Sequence, residues 1–267
     1  MALLPPGSTT AVGRPTQNLD DPDLQITLLH SSYSVLYTVP PSPQDTVDPR
    51  LKRFLSCLDP VPHRVVYLST SGVYGNRDGA ETNEDVNPAP ATARAGRRLA
   101  AETLLTSWCV ERESDAVILR VPGIYGPGRL GLDLIEAAHP VLAEAEATPG
   151  NRIHVDDLAG CCVRALDINA PTGIFNVGDG DHRSATWFAK TVARAAGLEP
   201  RPEVSRLEAE RTFSETRLSF LRESRTLETR RMRQVLGFTP RYSNPEDGIR
   251  ASLPRPSVED GPLHEVD

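Results

Sequence analysis

The sequence predicts an α/β protein built on a doubly wound parallel sheet. Three short runs, 34–39, 64–69 and 116–121, are rich in apolar, β-branched and aromatic residues, as buried strands are. Stretches with apolar residues at helical spacing separate these runs. Near-continuous apolar strands that alternate with helices indicate parallel strands joined by right-handed crossovers.

Each element of this sheet has its own signal. The first strand stops at Pro40, and Asp48 with Pro49 then supplies an N-cap and a proline in the first turn of a helix. The helix between the second and third strands begins near Thr92. Its apolar stripe and Arg-rich outer face are typical of a helix packed on a sheet; the stripe runs through Leu99, Leu104, Leu105 and Trp108.

The pattern after Tyr125 is less regular and predicts a small C-terminal α/β lobe. We expect helices from Leu132, from 156–157, from Ser184 to Gly197, over about 227–236 and near Glu246, with a strand at 173–177. The predicted organisation is a sheet domain at 19–170 and a lobe at 171–253. Proline-rich, disordered tails are expected at 1–18 and 254–267.

Composition narrows the partners. The 267-residue chain carries 29 Lys and Arg against 36 Asp and Glu, and a net charge of -7 argues against nucleic acid. No apolar run reaches the roughly 18 residues that a membrane span requires, so we expect a cytoplasmic protein without a membrane contact. The cysteines lack metal-ligand spacing, and we interpret them as buried thiols: Cys57, Cys109, Cys161 and Cys162.

Three segments follow strands at the edge where open parallel sheets bind ligands. They are S-T-S-G-V-Y-G at 69–75, P-G-I-Y-G-P at 122–127 and R-I-H-V-D-D at 152–157. Each alone is typical of a strand end, a turn or a helix cap. Together and in this order they resemble the extended short-chain dehydrogenase/reductase superfamily, of the NAD-dependent epimerase/dehydratase type, over residues 34–253.

The resemblance implies a Rossmann-like sheet that binds NAD or NADP. It places Thr70 as the hydroxyl that contacts a substrate carbonyl or alcohol. It also implies cofactor contacts at Val39, Pro40, Ser69, Pro122, Gly123 and Ile124. Tyr125 and His154 fall on the substrate side, with a packed, turn-supporting role as the alternative for both.

The family's Tyr and Lys, four residues apart on the long helix, are replaced here. The register set by Glu102 puts Arg94 and Arg98 at these catalytic positions. Because arginine stays protonated with a pKa above about 12, Arg94 cannot pass a proton as the family's tyrosine does. Two arginines on one helical face can bind a phosphate or carboxylate; the alternative is a solvated basic face shared with Arg97.

The glycine-rich G-x-x-G-x-x-G turn of the family is missing from residues 1–33, which contain only Gly7 and Gly13. We therefore expect the chain to start partway through the family's domain and to bind NAD or NADP weakly. Three functions remain open: an atypical reductase or epimerase-like enzyme, a non-catalytic sensor or scaffold for an anionic small molecule, and an enzyme whose true start lies upstream. The resemblance also implies a homodimer, because extended relatives often pair through two long helices; a core-facing role of residues 99–108 is the alternative.

Overall fold

The computed structural model describes residues 2–4, 16–21, 23–26 and 32–254. Its strands are Ala2–Leu4 (β1), Thr16–Asn18 (β2), Ser34–Tyr37 (β3), Arg64–Thr70 (β4), Glu81–Thr82 (β5), Asp115–Val121 (β6), Gly123–Tyr125 (β7), Val141–Leu142 (β8), Arg152–His154 (β9), Gly173–Asn176 (β10), Glu203–Val204 (β11) and Thr226–Leu227 (β12). Its α-helices are Pro49–Ser56 (α1), Ala93–Glu111 (α2), Leu132–Glu136 (α3), Val155–Leu166 (α4), Ala185–Ala196 (α5), Arg206–Thr212 (α6), Glu215–Leu221 (α7), Arg230–Gln234 (α8) and Pro245–Ser252 (α9).

A four-stranded parallel sheet in the order β10-β6-β4-β3 forms the centre of the protein. Helices α1 and α2 pack on one face, where Leu55 and Leu105 meet Val65 in one apolar cluster. Helix α4 packs on the other face, where Cys161 meets Leu119. Helices on both faces of a parallel sheet confirm the predicted doubly wound α/β fold.

The predicted helix caps agree with the structure. The Asp48 side chain accepts a hydrogen bond from the Leu51 amide at 3.0 Å at the start of α1. Thr92 caps α2 in the same way through the Ala95 amide at 3.2 Å. Helix α5 begins after Ser184 and ends at Gly197, whose φ of 68° lies in the left-handed region that glycine tolerates.

The helix predicted over 227–236 was wrong at its start. Leu227 belongs to β12, which pairs in parallel with β5, and its amide donates to Asn151 Oδ1 at 2.8 Å. Its buried side chain packs with Val73 and Tyr74, so a tertiary contact overrides the helical spacing. Only Arg230–Gln234 is helical there.

Outside the central sheet, the structure has short parallel pairs that the sequence did not predict. Besides β5 and β12, these are β7 with β9 and β8 with β11. Helices α6 and α7 were also missed, because each has only seven residues. Residues 255–267 and most of 1–18, the predicted disordered tails, lie outside the described residues; β1 and β2 pair in parallel within 1–18.

The predicted thiols are free, and Cys109, Cys161 and Cys162 are buried while Cys57 is half-buried. Burial raises the pKa of the Cys109 and Cys162 thiols to about 11. None of the helices in the described part of the chain has the length and apolar character to cross a bilayer. Across residues 32–254 and the short described segments before them, no three acidic, His or Cys side chains cluster as metal ligands would.

Candidate functional site

The predicted cofactor residues share one edge of the central sheet. Val39 and Pro40 follow β3, Ser69 lies near the end of β4, and Pro122 follows β6. The parallel register sets Ser69 opposite Arg120, so these strand ends lie side by side. This edge is the ligand-binding edge of a doubly wound sheet.

Thr70 is a half-buried residue at the last position of β4. Its Oγ1 accepts a hydrogen bond from the Gly72 amide at 3.1 Å and so caps a one-turn 3-10 helix, Ser71–Tyr74. Because the hydroxyl acts there as an acceptor, its proton remains available for a ligand. The role of Thr70 toward a substrate stays a prediction.

The structure gives Arg94 and Arg98 different partners. Arg98 turns toward the sheet, where its Nη1 donates to the Leu68 carbonyl at 2.7 Å and to the Tyr67 hydroxyl at 3.2 Å. Arg94 is exposed, and its guanidinium lies 4.3 Å from the ring centre of Phe220 in α7. The two cations therefore do not form one joint anion clamp.

A buried ion pair lies beneath the start of α2. Glu102 and Arg120 are 4% and 2% exposed, and Arg120 donates to the two carboxylate oxygens at 3.2 and 2.7 Å. The Ser69 hydroxyl also donates to Glu102 through a very short hydrogen bond. Ser69 was predicted to lie beside the nicotinamide ribose. Its hydroxyl proton is instead engaged in this hydrogen bond within the protein.

The network continues from this ion pair into the C-terminal lobe. The Arg120 guanidinium lies 4.7 Å from the Tyr74 ring centre, and the Tyr74 hydroxyl donates to Asn176 Oδ1 at 2.7 Å. The backbone N–H of Asn176 donates to the Glu84 carboxylate at 2.7 Å. Sequence reasoning missed Glu84 and Asn176; the F-N-V-G segment that ends β10 was the available signal.

Tyr125 and His154 are neighbours in the β7–β9 pair, with ring centres 5.2 Å apart. His154 is 1% exposed; its Nδ1 accepts the Asp156 amide at 3.1 Å, and its Nε2 lies 3.0 Å from Ser252 Oγ. Both ring nitrogens are therefore engaged. The geometry is that of the packed, helix-capping alternative, and a substrate role for His154 stays a prediction.

The Tyr125 hydroxyl is buried and has no hydrogen-bond partner among the described residues. It faces Gly248 of α9 so closely that a Cβ at that position would lie 2.4 Å from the hydroxyl oxygen. Burial raises the pKa of Tyr125, and burial likewise raises the pKa of Tyr74. Neither tyrosine is a proton donor at neutral pH.

Asp179 lies in the loop after β10 and is 1% exposed. Burial raises its pKa to about 7, although the Asp181 amide donates to it at 2.8 Å and Arg152 lies nearby. Its second oxygen has no partner among the described residues. Asp179 is thus a carboxyl that titrates near neutrality, away from α2.

The edge fits only part of a nicotinamide dinucleotide. Pro40 and Gly123 are exposed there, and they leave room for the nicotinamide end. A diphosphate needs free amides at a helix start, but the buried carboxyl of Asp48 already accepts the Leu51 amide at the start of α1. The start of α1 thus offers no free amide at Leu51 for a diphosphate.

Comparison with known proteins places this geometry in context. Residues 52–178 match the model of the NAD dependent epimerase/dehydratase family. A UDP-glucose 4-epimerase of Mycolicibacterium smegmatis is 29% identical over 195 residues, which cover 67% of this chain and 58% of the epimerase. The chain thus spans little more than half the length of this curated relative.

Two solved structures share the fold. A functionally unknown conserved protein from Silicibacter pomeroyi superposes with a TM-score of 0.75 at 26% identity, covering 88% of this chain and 82% of that one. MoeE5, in complex with UDP-glucose and NAD, gives a TM-score of 0.62 at 25% identity, covering 76% and 68%. Both likenesses extend well beyond the family match.

Proposed function

We propose that the chain is an atypical, oxidoreductase-related member of the NAD-dependent epimerase/dehydratase family, whose model matches residues 52–178. It binds a small molecule near the strand ends and NAD or NADP only weakly. Its chemistry does not use the Tyr–Lys pair of the family.

The placement of Arg98 is the observation that carries this proposal. Its guanidinium is 2.7 Å from the Leu68 carbonyl, at the helix position where the family places its lysine. Position 94, where the family has its tyrosine, holds an arginine, which stays protonated and has no phenolic proton to give. The family's proton transfer therefore has no donor here.

Other groups do not replace the missing donor. Tyr74 and Tyr125 are buried with raised pKa values, and burial lowers the pKa of His154, whose two ring nitrogens are already hydrogen-bonded. The Thr70 hydroxyl can orient a carbonyl or alcohol but cannot donate a proton as an acid at neutral pH.

A nicotinamide ring would contact Val39, Pro40 and the segment from Pro122 to Ile124, with Thr70 on its substrate side. The chemistry that it supplies when bound is hydride transfer. The protein would orient the ring against the strand ends and would hold the diphosphate weakly, because Asp48 already caps the start of α1, the helix that follows β3.

Titration of the 267-residue chain with NADH and NADPH, followed by nucleotide fluorescence, tests this proposal. We expect dissociation constants above about 1 µM, equivalent to less than about 8 kcal/mol of binding free energy. Competition sharpens the test, because nicotinamide mononucleotide should displace NADH while ADP should not. Sub-micromolar NADH binding, or displacement by ADP as effective as by nicotinamide mononucleotide, contradicts the proposal.

A second candidate is a non-catalytic binding protein on the same fold. The lack of an acid or base among the described residues of the strand-end site favours it. Incubation with NAD and UDP-glucose, followed by chromatography of the sugar nucleotides, separates the two candidates. Any protein-dependent epimer or NADH rules out the non-catalytic candidate, whereas unchanged UDP-glucose alongside measurable ligand binding supports it.

A further inference from the structure

A cleft of about 840 Å³ lies in the C-terminal lobe, beside the start of α2. One side is formed by the stretch from Leu134 to Thr148 and the start of α5, and the other by residues 201–221. The volume is in the range of small-molecule sites. Residues 201–221 lie outside the family match, so the family assigns them no role.

Apolar side chains form most of the cleft walls: Leu134, Val141, Leu142, Phe213, Phe220 and Leu221. Phe220 is 59% exposed, so its ring is accessible to a molecule in the cleft. The Phe220 ring also lies against the Arg94 guanidinium. Phe220 thus links one wall of the cleft to the start of α2.

Arg201 and Arg217 line the same cleft side by side. Both donate to the Pro140 carbonyl, Arg201 through Nη2 at 3.3 Å, and Arg217 also lies 3.5 Å from the ring centre of Phe213. Two guanidinium groups that share one carbonyl oxygen repel each other. Their positions are thus fixed by neutral groups and not by a counter-charge.

Neither guanidinium forms an ion pair with a carboxylate in the described part of the chain, whereas nearby Lys190 pairs with Glu203 and Arg222 with Glu215. Burial lowers the pKa of Arg201 and of Arg217, and Arg201 lowers that of Arg217 further. Asp133, an exposed residue, is the acidic group that raises the pKa of Arg201. An anionic ligand would relieve this unbalanced charge.

We infer that the cleft binds a small organic anion, with its phosphate or carboxylate between Arg201 and Arg217 and an apolar, ring-like body against Phe220. The inference rests on the proposed function only in that the chain binds a small molecule. Apolar walls with a few convergent cations are the usual composition of such sites. The fork of each guanidinium matches either oxyanion.

Isothermal titration of the full chain with phenyl phosphate, benzoate and neutral benzyl alcohol tests the inference. We expect one of the two anions, or both, to bind and benzyl alcohol to bind at least tenfold more weakly. R201Q and R217Q should each weaken anion binding about 10- to 100-fold, the range for a charged hydrogen bond. R201K, which keeps the charge, should retain more affinity than R201Q. R211Q, an exposed arginine of neighbouring α6 that does not line the cleft, is the matched control and should bind as wild type.

Several outcomes overturn the inference: no binding of either anion at millimolar concentration, equal binding of benzyl alcohol, or unchanged affinity in correctly folded R201Q and R217Q. The melting temperature of each variant without ligand establishes that it is folded. NADH titration of the same proteins separates the two proposals. Arginine-dependent phenyl phosphate binding without NADH binding refutes the cofactor proposal alone, and the reverse result refutes the cleft alone.

Discussion

The strand-end site and the C-terminal cleft both contain arginines, but the two regions treat them differently. At the strand ends, Arg98 is hydrogen-bonded to the sheet and Arg120 is neutralised by Glu102. In the cleft, Arg201 and Arg217 share a neutral carbonyl and form no ion pair with the described residues. The strand-end arginines are therefore held by contacts within the fold, whereas the two cleft guanidinium groups have no carboxylate partner among the described residues and can bind an anionic ligand.

This difference shows why position alone does not assign a role. Arg94 and Arg98 are predicted from the sequence to fall at the family's catalytic positions, yet their contacts are a phenyl ring and a backbone carbonyl. The cleft arginines come from a segment without a recognisable motif. What distinguishes the cleft is that two guanidinium groups converge on one carbonyl without a carboxylate partner among the described residues.

The strongest test of a structural role for the first region is E102A. Removal of one member of a buried ion pair leaves Arg120 without a counter-charge, and we expect a loss of about 3–5 kcal/mol of unfolding free energy. Urea denaturation measures this loss. The control E111Q changes an exposed glutamate of the same helix and should alter stability by less than about 0.5 kcal/mol. Equal stability of E102A and E111Q would remove the structural role.

The pH dependence of the unfolding free energy tests whether burial raises the pKa of the Asp179 carboxyl. Its pKa rises from 3.8 to about 7 on folding, because burial disfavours the carboxylate. The folded chain therefore holds a proton that the unfolded chain releases, and the unfolding free energy falls as pH rises from about 4 to about 7, by up to about 4 kcal/mol.

D179N should remove this dependence, so that the variant gains stability relative to wild type as the pH rises to 8. Denaturant titrations at a series of pH values measure the difference. D45N, which changes an exposed loop carboxylate, should keep the wild-type profile. Parallel profiles of wild type and D179N would show that Asp179 is ionised in the folded chain at low pH.

R98Q tests how firmly Arg98 is anchored to the sheet, and its effect on stability should be intermediate in size. Loss of the bond to the Leu68 carbonyl should cost about 1–3 kcal/mol of unfolding free energy, because that acceptor loses a charged donor. R97Q serves as the control, because the side chain of Arg97, one residue earlier on α2, makes no hydrogen bond with the described residues. If R98Q and R97Q unfold at the same denaturant concentration, Arg98 is not anchored as the structure shows.

R94A should have the smallest effect. An exposed cation–aromatic contact contributes about 0.5–1 kcal/mol, so the coupling energy between R94A and F220A in a double-mutant cycle should stay below about 1 kcal/mol. Thermal or urea unfolding of the two single variants and the double variant gives this number. A coupling of several kcal/mol would mean that Arg94 clamps the lobe to the sheet.

Local signals predicted the central sheet well, since the apolar runs and the caps at Asp48, Thr92 and Ser184 act within a few residues. The lobe was harder, because strands of two residues such as β5 and β12 exist only through long-range pairing. The strand-end residues were predicted from motifs. The hydrogen bond from Ser69 to Glu102 could not be predicted in this way, because the two residues are 33 positions apart in the sequence. No local pattern marks Arg201 and Arg217, which converge only in the folded lobe.

A crystal structure of the chain with phenyl phosphate tests the contrast between the two regions most directly. The account predicts phosphate density within hydrogen-bond distance of both the Arg201 and Arg217 guanidinium groups, with the phenyl ring against Phe220. Phosphate bound between Arg94 and Arg98 at the start of α2, with the cleft empty, would contradict it.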